Sequence, residues 1–80
     1  MATYYYNQTL IIMRDYLGPA AERFLQRQAR FHLRKDASEI NRGDVAKLSE
    51  WIRKTFGVLS DDQVIVNQAA ERIKKIGAKA

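Results

Sequence analysis

Three observations predict an all-α fold: a single small bundle of four main helices, with a short helical turn in the connector between the second and third. Apolar residues recur at helical spacing through every long segment. The boundaries between segments carry helix stop and start residues, at Gly18-Pro19, Asn41 with Asp44, Gly57, and Ser60 with Gln63. The one ambiguous stretch, TYYYNQTLII at 3–12, has aromatic and β-branched residues that suit a strand, but no second convincing strand exists to pair with it. An isolated strand leaves its backbone donors and acceptors unsatisfied, so helix is the consistent assignment.

The first helix is placed at Tyr4–Leu17. Helical rotation groups Tyr5, Tyr6, Thr9, Leu10, Ile12, Met13, Tyr16 and Leu17 on one broad face and leaves Tyr4 and Ile11 off it. The second and central helix fills Leu17–Lys35 after a Gly-Pro junction, where glycine tolerates a left-handed cap and proline gives up no needed donor. At about 100° per residue, Ala20, Ala21, Phe24, Leu25, Gln28, Phe31 and His32 share its inner side, and Arg23, Arg27, Arg30 and Arg34 form a narrow outer ridge.

Asp36–Gly43 reads as the connector, with one helical turn signalled by the spacing of Asp36 and Glu39 and with Ile40 turned inward. The third helix runs from about Gly43 to Phe56, started by Asn41 and Asp44 and ended by Gly57, with Val45, Leu48, Ile52, Phe56 and later Leu59 toward the core and Trp51 at the flank. Ser60 and Gln63 have capping-box spacing for the fourth helix. Its inner face is Ile65, Val66, Ala69, Ala70, Ile73 and Ile76, while Asp61 and Asp62 at its start and Lys74 and Lys75 near its end suit the helix dipole. The whole chain, 1–80, forms one helical domain, with frayed ends near 1–3 and 77–80.

A chain of 80 residues buries only roughly 60% of the surface its unfolded form exposes, so the core must be economical. Cysteine is absent, which removes disulfides, thiolate metal sites and thiol nucleophiles. The opening MATYYYNQTL has no basic and apolar export pattern, and no apolar run approaches the ~18 residues of a membrane span. These features point to a soluble, cytoplasmic protein that makes no membrane contact.

The residues that carry chemistry are sparse. His32 is the single histidine, and Ser38, Ser49 and Ser60 occupy capping or helix-surface positions, not a nucleophile's strained turn. Asp61 and Asp62 are accounted for by capping, the four glycines are isolated, and no metal-ligand spacing occurs. The expectation is a non-enzymatic protein with no catalytic residues, metal or cofactor. Two polar features stand out. Gln28 and His32 lie one turn apart on an apolar side, either as an internal hydrogen-bonded pair, or at a helix crossing near solvent, or as a polar spot in a docking groove. The ridge of Arg23, Arg27, Arg30 and Arg34 offers planar recognition of carboxylate or phosphate, in a chain of net charge +5. No aromatic residue interleaves with it on the helical projection, which weakens a nucleic-acid reading.

The pattern LGPAAERFLQRQARFHL, followed by DVAKLSEWIRKTFGVLSDD, resembles small, poorly characterised helical domains associated with prokaryotic signalling and regulatory proteins. It rests on Gly18-Pro19, Phe24-Leu25, Arg27-Gln28, His32-Leu33 and Trp51-Ile52. The resemblance implies an accessory, protein-binding role and assigns no site chemistry. The expected function is therefore an interaction or regulatory adaptor module. It would bind an acidic protein surface through the ridge, with Tyr4, Ile11 and Trp51 as apolar anchors that could also pair in a homodimer. The alternative is a small basic protein whose ridge contacts nucleic-acid phosphates.

Overall fold

The computed structural model describes residues 2–78, and every described element is helical. Helix α1 spans Tyr4–Leu17, α2 spans Ala21–Gln28, α3 spans Arg42–Leu59 and α4 spans Gln63–Ala78. Single 3₁₀ turns at Gly18–Ala20 and Ala37–Glu39 and a π turn at Ala29–Leu33 complete the order. The three long helices, α1, α3 and α4, form the frame, with α4 packed against both others; α2 and its π turn close over α1 and α3. One apolar cluster runs through them, centred on Met13, Leu25, Ile40, Leu48, Ile52, Val66 and Ile73.

The α1 face is as its periodicity predicts: Tyr6, Thr9, Leu10, Ile12 and Met13 are buried, and Tyr4 and Ile11 are exposed. The buried Thr9 hydroxyl is satisfied by donating to the Tyr5 carbonyl at 2.7 Å. The start of this helix is not frayed at residue 3. Thr3 is its N-cap, accepting from the Tyr6 N–H at 3.1 Å, donating its hydroxyl to the Ile40 carbonyl at 2.6 Å and its N–H to the Ser38 carbonyl at 2.9 Å. Met1, Lys79 and Ala80, also placed in the frayed ends, lie outside the described residues.

The central segment departs most from expectation. Ala21, Leu25 and Gln28 face inward and Phe24 is half-buried, but Ala20, Phe31 and His32 are exposed. Ala20 belongs to the 3₁₀ turn that precedes α2. For Phe31 and His32 the cause is the π turn, which closes i to i+5 and so turns the chain through fewer degrees per residue than an α-helix does. A projection at constant pitch puts Phe31 under Phe24; instead Phe31 is exposed, Ala29, one α turn after Leu25, is fully buried, and Leu33 at the end of the π turn is half-buried. The segment ends at Arg34 in the left-handed conformation, φ 56°, with its N–H donated to the Ala29 carbonyl.

The connector behaves as predicted in its essentials. Asp36 caps the Ala37–Glu39 turn by accepting from the Ser38 N–H at 2.9 Å, and Ile40 is buried, although the Glu39 side chain makes no reciprocal bond among the described residues. Asn41 and Asp44 form a complete capping box on α3. Gly57 does not end that helix. Its φ is not positive, and α3 continues to Leu59 before the chain becomes extended at Ser60. Leu59 and Ile65, expected in the core, are consequently exposed at the α3–α4 corner. The cap of α4 is Asp62, not Ser60: its carboxylate accepts from the Val64 and Ile65 N–H groups at 3.0 and 3.3 Å, and Ser60 Oγ accepts from the Asp62 N–H at 3.2 Å. Gly77 stays helical and its carbonyl accepts from Arg42 Nε at 2.9 Å.

Candidate functional site

The outer face of α2 and its π turn carries three arginines that form no ion pair among the described residues. Arg23, Arg27 and Arg30 recur at helical spacing, and together with Gln26 and Phe31 they line one shallow depression. Phe31 is 70% exposed, because the π turn that removes it from the core delivers it to the basic face. Arg34 does not line the depression; it caps the π turn in left-handed conformation, so the depression holds three of the four arginines together with an aromatic ring. The constant-pitch projection hid that ring.

Three ion pairs occur among the described residues, and none involves these arginines. Asp15 is held by Arg72 at 2.9 Å, Glu50 by Arg53 at 2.7 Å and Asp44 by Lys35 at 2.6 Å. Asp36 has its carboxyl held below the usual range chiefly by the Ser38 N–H and hydroxyl, with a smaller contribution from Arg30. The guanidinium groups of Arg23, Arg27 and Arg30 are thus available for a carboxylate or phosphate from outside.

Gln28 and His32 are not a pair. Gln28 is 6% exposed and its Oε1 accepts from Thr55 Oγ1 of α3 at 3.2 Å, a satisfied crossing between α2 and α3. His32 lies outside, stacked on Trp51 with ring centroids 3.7 Å apart. Lys54 Nζ stands 4.8 Å from the Trp51 ring centroid. Trp51 is therefore partly covered, at 38% exposure, and is less available as an anchor than its place on the helical wheel implies. Tyr4 and Ile11 share the outer side of α1, with Tyr4 edge-on to Tyr5 at 5.4 Å; Trp51 lies on α3 against the π turn.

The serine hydroxyls are engaged locally, Ser38 with Asp36 at 2.8 Å and Ser49 with the Ala46 carbonyl at 2.8 Å. Among the described residues no three acidic or histidine side chains gather as a metal site, and no helix is long and apolar enough to cross a membrane. No family model matches the chain, and neither the curated proteins nor the solved structures compared with it show a match.

Proposed function

We propose that the protein is a non-enzymatic interaction module of the cytoplasm that binds an acidic protein surface through Arg23, Arg27 and Arg30, with Phe31 as the apolar anchor. The observation that carries this reading is the coincidence, in one depression, of three arginines without acidic partners and a ring left 70% exposed. Arginines at a rim speed encounter with an acidic surface, and a desolvated aromatic slows release. Locally bonded serines and a stacked histidine support the non-enzymatic part. The resemblance to small regulatory helical domains supports an accessory role, in which the Ala21–Leu33 segment serves as the fourth member of the bundle and presents the site.

A second reading is favoured by the same ring. Arginines beside an exposed aromatic also suit single-stranded nucleic acid, whose bases stack while its phosphates are neutralised. Surface plasmon resonance against an immobilised amphipathic peptide of alternating glutamate and leucine tests the first reading. Arg27→Glu with Arg30→Glu is expected to abolish binding and Phe31→Ala to hasten dissociation. Wild-type protein that does not bind the peptide contradicts it.

A further inference from the structure

We infer that the acidic partner of the ridge is a second copy of this chain, docking through its α3–α4 corner; this rests on the reading of the ridge as a protein-binding surface. Val58 and Leu59 in the last turn of α3, and Val64 and Ile65 in the first turn of α4, are all exposed, Val58 by 85%. Four large apolar side chains within eight positions are more than scattered surface residues, and such clusters mark interaction sites. Between them lie Asp61 and Asp62, the one place in the sequence where two acids adjoin.

The two patches match in kind and oppose in charge. The corner is a pair of carboxylates edged by aliphatic side chains, and the ridge is a set of guanidinium groups edged by a phenyl ring. Neither Asp61 nor Asp62 forms an ion pair among the described residues; Glu22, Asp36, Glu39 and Glu71 form none either, but only Asp61 and Asp62 stand adjacent and between exposed aliphatic side chains. Asp62 keeps a second oxygen after capping α4 through Oδ1. Copies of a chain with net charge +5 repel one another in general, so association requires a local acidic surface facing the arginines, and this corner supplies one with apolar area attached. Because two different patches meet, the contact either closes reciprocally about a two-fold axis or propagates head to tail.

Sedimentation of the wild type, Asp61→Lys, Arg27→Glu and the double variant tests this across roughly 5 to 500 µM, where weak specific contacts become populated. Wild-type mass is expected to rise above 9.3 kDa with concentration. Each single reversal should move the transition to about tenfold higher concentration or beyond, and the double reversal should restore it, since like charges across a contact repel and swapped charges do not. Far-ultraviolet circular dichroism of the four proteins checks that all are folded. A wild type that stays at 9.3 kDa throughout, or a double variant no better than the singles, overturns the inference. If that monomer still binds the acidic peptide, the ridge reading stands and only self-pairing fails.

Discussion

The imidazole of His32 lies flat on the indole of Trp51, with ring centroids 3.7 Å apart and planes 4° from parallel. This contact ties the π turn to α3 and fixes the side of the segment on which Phe31 emerges. Ring pairs contribute about 0.5–1.5 kcal/mol beyond area burial, so His32→Ala should destabilise by that order and shift Trp51 emission to longer wavelength as the indole gains water. Urea unfolding followed by fluorescence reads both. An unchanged emission maximum would mean the stack does not persist in solution.

Arg34 occupies a left-handed position that costs an L side chain about 1 kcal/mol, while Gly57 sits inside a helix where glycine costs about the same relative to alanine. Arg34→Gly and Gly57→Ala should therefore each stabilise by roughly 0.5–1 kcal/mol. A Cβ at 57 meets only the Gln63 amide at 3.8 Å and Val66 at 4.0 Å, ordinary contact distances. Thermal unfolding that shows either variant less stable would refute the backbone assignment there.

Core and surface aromatic positions should separate sharply. Ile52 is fully buried, so Ile52→Ala should cost about 2–5 kcal/mol. Phe31→Ala should leave stability within about 0.5 kcal/mol of the wild type, as substitutions at exposed sites usually do. Comparable losses at both positions in denaturant melts would place Phe31 in the core and remove the site.

Acid should weaken the α3 capping box. Burial pushes the Asp44 carboxyl upward, but the hydrogen bonds from Lys35 and from the Asn41 N–H outweigh it and hold the group below its ordinary value of 3.8. A folded-state value below the unfolded one stabilises above the unfolded value, and that contribution is lost as pH falls through 3.8 toward the lower folded value. Asp44→Asn should cost roughly 1 kcal/mol near neutrality, and its deficit should shrink below about pH 4. A deficit independent of pH would show that the carboxylate charge is not what stabilises the cap.

The all-helical class and most of the core were legible because α1, α3 and α4 keep constant helical pitch: Met13, Ile52 and Ile73 fall where periodicity puts them. The Asn41–Asp44 box was equally readable, since both its residues lie within one turn. The differences in the central segment share a cause. A π turn has no residue signature, so a constant-pitch projection carries Phe31 and His32 inward. Glycine at 57 reads as a stop because glycine often is one, but its backbone here is ordinary helix. The arginines of the site were visible in sequence; their aromatic neighbour was not.

The most direct test of the Arg23, Arg27, Arg30 and Phe31 surface is a side-by-side binding measurement. The acidic amphipathic peptide, generic duplex DNA and single-stranded RNA are compared at about 50 and 200 mM salt, a range over which binding dominated by several phosphate contacts weakens by orders of magnitude. A protein-binding surface predicts that the peptide still binds at the higher salt. Its association is then slowed by salt, its dissociation is hastened by Phe31→Ala, and both nucleic acids are released. Retention of either nucleic acid at 200 mM salt together with loss of the peptide, both sensitive to Arg27→Ala, would contradict it.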